Sequence, residues 1–156
     1  RENLQPPANS PPGIERFERD VLSHQGVTDV VLFMGTNDIR RDVPAGDVIA
    51  GMQDIAMRAK ARGLKVIGVT IMPRHNRAPV GDNRGWNAAK TRARNEVNQW
   101  IRSTAPFDAV IDFDTLVQDP ANADLIYPPF DCGDGIHPSP LGYYEMGKSV
   151  RLALFR

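Results

Sequence analysis

The fold class follows from a short run, Asp29-Val-Val-Leu-Phe-Met34, in which every residue after Asp29 is apolar. Two comparable runs come later, Leu64-Lys-Val-Ile-Gly-Val-Thr-Ile71 and Phe107-Asp-Ala-Val-Ile-Asp-Phe113. Short apolar runs rich in β-branched residues are typical of strands that are buried on both faces. We therefore predict three strands of a parallel sheet.

Helices are predicted around these runs. The segments are 14–24, 47–62, 82–103 and 140–155, and Ser139 is the expected N-cap of the last one, with Pro140 at its first position. Strands separated by amphipathic helices indicate an α/β fold with a parallel sheet between two helical layers. Because sheets usually have about five to six strands, we expect further strands upstream of Arg1.

Length and composition indicate one domain. The chain has 156 residues, and residues 1–13 hold four of its 13 prolines but almost no large apolar residues. We predict that residues 1–13 form a linker or loop and that 14–156 form part of a single domain. The single Cys132 excludes an internal disulfide.

Charge and hydropathy exclude two classes of partner. The 19 basic and 19 acidic residues balance, which argues against a nucleic-acid-binding protein. No apolar run approaches the roughly 18 residues of a membrane span. The sequence leaves the oligomeric state open.

The loop before the last helix holds the first candidate pair, Asp134 and His137. At this spacing a carboxylate can accept a hydrogen bond from the imidazole Nδ1, which leaves Nε2 free as a general base. The alternative is a solvated aspartate and a structural histidine that caps the turn.

Asn37 is the second candidate, because it follows the first strand at the carboxyl edge of the sheet, where ligands bind in this class of fold. Its side-chain amide could donate to an oxyanion. The alternative is an ordinary turn stabilised by Asn37 or Asp38.

Other residues are given less specific roles. Arg74, His75 and Arg77 are expected in a solvated loop, with lining of the cleft as the alternative. Cys132 is expected to be inert rather than nucleophilic. Trp86 is expected to pack in the core, although it could reach a sugar ring. The histidines and carboxylates show no His-x-x-x-His or Cys-x-x-Cys spacing, so no metal site is expected.

Taken together, the motifs resemble those of the SGNH (GDSL) hydrolases. Gly35-x-Asn37-Asp38 follows an apolar strand, and Asp134-x-x-His137-Pro138 precedes the final helix. The segments 94–102, 107–114 and 143–146 are similar to the bacterial xylan-esterase-like branch. The resemblance covers about residues 13–155.

The resemblance implies a flavodoxin-like sheet and hydrolysis of a small carboxylic ester without metal or cofactor. It implies that His137 is the catalytic base, Asp134 its orienting partner and Asn37 one oxyanion donor. A secreted or periplasmic location is also implied.

One departure from the family pattern changes the expectation for this chain. The nucleophile motif Gly-Asp-Ser is absent from it, and so is the glycine of the family's second block. We therefore expect the serine on an upstream N-terminal segment, and we expect residues 1–156 alone to be inactive. The competing hypothesis is a catalytically inactive module on the same fold that binds a carbohydrate or a protein partner.

Overall fold

A computed structural model describes residues 11–75 and 85–155 of the protein. Three strands are present in the main sheet: β1 (Asp29–Leu32), β2 (Lys65–Val69) and β3 (Ala109–Ile111). They form a parallel sheet in the order β1-β2-β3, with Val30 opposite Val66 and Gly68 opposite Val110. The predicted α/β fold with a parallel sheet is thus confirmed.

Helices cover both faces of the sheet. Their bounds are α1 (Gly13–Phe17), α2 (Thr36–Arg40), α3 (Ala45–Ala61), α4 (Ala88–Ser103), α5 (Phe113–Val117) and α6 (Pro140–Ser149). One face packs against α1, α3 and α4, with Leu32 and Val66 in the shared core. The other face packs against α5 and α6, with Val69 and Met146 in its core. Among the described residues, no helix combines the length and apolarity needed to cross a membrane.

Several helix limits differ from the sequence prediction. Helix α1 continues as a π-helical turn, Glu18–Leu22. Helix α4 begins at Ala88, because the Asn87 side chain caps it by accepting from the backbone N–H of Lys90. Residues 82–84 of the predicted helix lie outside the described part of the chain.

The end of the last helix also differs. As predicted, Ser139 caps α6 by accepting from the N–H of Gly142. The helix ends at Ser149, and a 3₁₀ turn, Leu152–Phe155, follows it. Leu154 in this turn packs against the core next to α6, and its carbonyl accepts from Lys65 Nζ. Because Leu154 packs against the core, the residues after Ser149 do not continue the helix that the local sequence pattern predicts.

The loop predicted between β3 and the last helix contains regular structure. A small antiparallel hairpin joins β4 (Gln118–Asp119) to β5 (Asn122–Ile126), and a 3₁₀ turn, Pro128–Phe130, follows. The N–H of Tyr127 donates to the carbonyl of Val117 at 2.8 Å. The hairpin thus brings the following loop back to the carboxyl edge of the sheet.

An ion-pair cluster fixes α4 to the end of β3. Arg102 donates to Asp112 at 2.7 and 2.9 Å and to Asp114 at 2.8 Å. Asp114 is buried, and Arg94 lies 3.7 Å from it. Although Asp114 follows β3 at the edge where ligands bind, its contacts are those of a structural group.

Candidate active site

A pocket of about 220 Å³ opens at the carboxyl ends of β1 and β2. It lies between the turn after β1, the segment after β2 and the loop of residues 131–137, which we name the dyad loop. The lining residues are Phe33, Met34, Thr36, Asn37, Ile71, Met72, Pro73, Arg74, Ile136, His137, Pro138 and Tyr143. Two of the three site residues predicted from sequence, Asn37 and His137, therefore share one pocket.

The dyad loop is held by hydrogen bonds between its own residues. Asp131 Oδ1 accepts from the N–H of Gly133 at 2.8 Å and of Gly135 at 3.0 Å. The N–H of Cys132 donates to the carbonyl of His137 at 3.0 Å and closes the loop. These bonds fix the positions from which the side chains of Asp134 and His137 project.

Asp134 and His137 form the expected pair. His137 Nδ1 lies 2.6 Å from Asp134 Oδ2. Asp134 Oδ1 accepts from the N–H groups of Ile136 and His137, each at 2.8 Å. Because an ionised carboxylate can only accept, Nδ1 carries the proton and Nε2 is left as an acceptor.

The Asp134 carboxyl is stabilised in its charged form. Partial burial raises its pKa, but hydrogen bonds from the His137 ring, from the N–H groups of His137 and Ile136, and from the Cys132 thiol outweigh this effect and hold the pKa well below its usual range. Asp134 therefore stays an acceptor for Nδ1 when the pH falls through the ordinary carboxyl range. The pair remains open to solvent, since the His137 side chain is 65% exposed.

Asn37 reaches the pocket through a tight turn. Gly35, which precedes α2, has φ = +103°, and a Cβ there would lie 2.9 Å from Ile71 Cδ1. Only glycine suits this conformation and this contact. The chain then turns sharply out of β1, and Asn37 is placed in the first turn of α2 on the pocket wall.

Arg74 is placed differently from the prediction of a solvated loop. It is only 5% exposed, and its guanidinium lies 5.4 Å from the ring centroid of Trp86. Burial and the nearby Arg40 lower its pKa to about 10, opposed by Asp134, so it stays charged at neutral pH. Arg74 lines the pocket, which was the alternative to a solvated loop, and the neighbouring Trp86 is buried as expected.

The other two residues of this predicted loop are His75 and Arg77. His75 is exposed, and Arg77 lies outside the described residues. The N–H of His75 donates to the carbonyl of Gly135 at 2.8 Å, so the segment after β2 is tied to the dyad loop.

Replacing Gly135 by alanine is expected to displace the dyad loop. A Cβ at Gly135 would lie 2.1 Å from the backbone oxygen of His75. Its φ of +70° would cost an L-residue about a further 1–2 kcal/mol. Neither the clash with the His75 oxygen nor the unfavourable φ can be relieved by rotating a side chain. We expect the His137–Asp134 bond to weaken, with a changed ring N–H signal of His137 in NMR spectra.

Gly133→Ala is the matched control, because Gly133 has φ = +105° but no atom within 4 Å of a built Cβ. It tests backbone strain without the clash. If Gly135→Ala keeps the wild-type His137 signal, the contact with His75 does not position the pair.

The serine hydroxyls of the described residues are engaged elsewhere. The Oγ atoms of Ser23, Ser103, Ser139 and Ser149 each donate to a backbone carbonyl. None of these serines lines the pocket. Ser10 lies outside the described residues.

The dyad loop also brings three possible metal ligands close together, although their spacing in the sequence did not predict a metal site. The thiol of Cys132, the carboxylate of Asp134 and a ring nitrogen of His137 lie within 4.8 Å of one another. These three residue types can all ligate a metal ion.

Comparison with known proteins identifies the family to which this chain belongs. The model of the GDSL-like lipase/acylhydrolase family matches residues 6–144, and the chain belongs to that family. The predicted resemblance to the SGNH (GDSL) hydrolases is confirmed. No curated protein sequence matches the chain.

Several solved structures share the fold. A GDSL-like lipase from Bacteroides thetaiotaomicron superposes with a TM-score of 0.75 at 22% identity, covering 91% of this chain and 68% of that one. A catalytic mutant of an acetylxylan esterase from Geobacillus stearothermophilus gives a TM-score of 0.55 at 18% identity, covering 91% and 65% of the two chains. The chain thus spans about two thirds of the length of these relatives.

Proposed function

We propose that this chain supplies the base, its acidic partner and an oxyanion donor of a serine-type carboxylic ester hydrolase. The observation that carries the proposal is the 2.6 Å contact between His137 Nδ1 and Asp134 Oδ2, in a pocket that Asn37 also lines. The serine is supplied by a segment upstream of Arg1. The family match supports hydrolysis of an ester as the reaction class.

In the proposed first step, His137 Nε2 takes the proton of the serine hydroxyl as its oxygen attacks the ester carbonyl. Asp134 keeps the imidazole in the required tautomer and stabilises the imidazolium that forms. The Asn37 amide donates to the carbonyl oxygen as it becomes negative.

The first tetrahedral intermediate then collapses: the imidazolium protonates the departing alcohol, and the acyl group remains on the serine. In the second half of the reaction, Nε2 takes a proton from water as the water oxygen attacks the acyl-enzyme. The second tetrahedral intermediate collapses, the imidazolium returns its proton to the serine oxygen, and the carboxylic acid is released. The proton transfers require no cofactor.

The pocket supports a short acyl group. Its volume of about 220 Å³ lies below the roughly 300–1,000 Å³ of sites for drug-sized ligands. Phe33, Met34, Ile71 and Met72 provide apolar walls next to His137. We propose an acetyl ester, with a carbohydrate as one class of alcohol in view of the acetylxylan esterase neighbour.

The free edge of β1 supports an upstream partner segment. Among the described residues β1 pairs with β2 alone. Val31 and Phe33 alternate with the buried Val30 and Leu32, and they are 47% and 43% exposed. Unpaired backbone groups beside apolar side chains favour the addition of a strand. A strand beside β1 would end near Asn37, where the serine is needed.

The test is complementation. The chain is expressed alone and together with the segment that precedes it in the encoded protein, and both samples are treated with a fluorophosphonate serine reagent and assayed on p-nitrophenyl acetate. We expect residues 1–156 alone to be unlabelled and inactive. The complemented sample should be labelled and active, with the label mapped to an upstream serine.

Two outcomes would count against the proposal. Labelling of a serine within residues 1–156 would place the nucleophile on this chain. A folded complemented sample that neither reacts nor hydrolyses the ester would favour the inactive binding module.

A further inference from the structure

The dyad loop carries three metal-binding groups of different chemistry at one point. Cys132, Asp134 and His137, which we name the donor trio, bring a sulfur, an oxygen and a nitrogen atom within 4.8 Å of one another. Thiolate, carboxylate and imidazole are the ligands that Zn²⁺ takes in proteins. Donor atoms around a tetrahedral Zn²⁺ are separated by about 3.3–3.6 Å, given the usual bond lengths, so small side-chain rotations suffice.

We propose that the donor trio binds a divalent transition-metal ion, in the first place Zn²⁺, and that the bound ion inhibits ester hydrolysis. Binding is independent of the proposed function, whereas inhibition rests on it. The ion is an inhibitor in this proposal and takes no part in the reaction.

Hydrogen bonds within the loop hold it in place before an ion binds. Its ends are closed by the bond from Cys132 N–H to the His137 carbonyl, and Asp131 Oδ1 holds Gly133 and Gly135. Three ligands on one short ordered loop lose little conformational freedom when they bind an ion, and this lowers the cost of binding.

The trio is also accessible. All three side chains are exposed, and the pair of Asp134 and His137 is 41% and 65% exposed. An ion can therefore reach the site directly from solvent. Three protein ligands leave the fourth tetrahedral position to water.

Coordination by either ring nitrogen of His137 removes the general base. An ion on Nε2 takes the lone pair that should accept the serine proton. An ion on Nδ1 replaces the hydrogen bond to Asp134, and the single proton of the neutral ring then lies on Nε2, which becomes a donor. In both cases the imidazole cannot accept a proton from serine.

The experiment uses the protein complemented with its upstream segment and Co²⁺ as the spectroscopic probe. Co²⁺ bound by a thiolate gives a charge-transfer band in the near ultraviolet. We expect this band at one equivalent in the wild type and its loss in Cys132→Ser. In His137→Gln we expect at least tenfold weaker binding. His24→Gln is the matched control, because His24 is exposed and lies on the turn after α1.

Inhibition is measured separately with Zn²⁺, relative to the metal-free rate of each variant. We expect Cys132→Ser to need at least tenfold more Zn²⁺ for half inhibition than the wild type or His24→Gln. Absence of the band, or its persistence in Cys132→Ser, would overturn the site. Equal inhibition of wild type and Cys132→Ser would overturn the inhibitory role. A cobalt band in a protein without esterase activity would support the site while rejecting the proposed function.

Discussion

Replacing His137 by alanine is expected to lower kcat of the complemented hydrolase on p-nitrophenyl acetate by about 10⁴-fold or more. The variant loses the only group of the pair that can accept the serine proton, while Asn37 and the pocket walls remain. Since the side chain is 65% exposed, its removal leaves no buried cavity, and the fold should be kept. The measurement is steady-state kinetics together with a thermal unfolding curve.

His24→Ala serves as the control for this experiment, since it removes an exposed histidine that does not line the pocket. Asp134→Asn should also impair turnover, but less severely, because the imidazole is kept while its tautomer is no longer enforced. A folded His137→Ala protein that loses less than tenfold in kcat would refute the assignment of the base.

The second large effect is expected for Asn37→Ala, which should reduce kcat by roughly 10²–10³-fold. KM should change little, because the amide hydrogen bond strengthens only as the carbonyl oxygen gains charge. Asn37 is exposed at the start of α2, so the substitution should leave stability nearly unchanged. Kinetics over a range of ester concentrations separates the two constants.

Asn122→Ala is the comparison for Asn37, because Asn122 is an exposed asparagine whose Oδ1 accepts from a local backbone group, the N–H of Asp124 at 3.1 Å. It should retain full activity. An Asn37→Ala enzyme with raised KM and unchanged kcat would show that Asn37 binds the substrate and does not stabilise the transition state.

Local sequence patterns were sufficient to predict the three strands of the parallel sheet and most of the helices. Buried strands appear as short apolar runs, and the Ser139-Pro140 cap of α6 depends only on neighbouring residues. The pairing of Asp134 with His137 could also be predicted, because both lie on one loop three residues apart.

Features that depend on distant contacts could not be predicted. Arg74 is buried beside the ring of Trp86, and the end of α6 depends on how Leu154 packs against the core. The strands of the β4-β5 hairpin are short, and four of their seven residues are polar, so the hairpin carries no strong periodic signal. The charge and polarity of a residue do not show whether distant parts of the chain will bury it, as they bury Arg74.

The sequence by itself determined the fold class, the family and the three candidate site residues, because strand periodicity and short motifs are local properties of the chain. The tertiary structure alone decided that Asn37 and His137 line one pocket. Parallel strands place their carboxyl ends at a common edge, and the return of the dyad loop to that edge depends on the hairpin before it. The contact between Gly135 and His75 likewise exists only in the folded chain, since a left-handed glycine allows two backbones distant in sequence to approach.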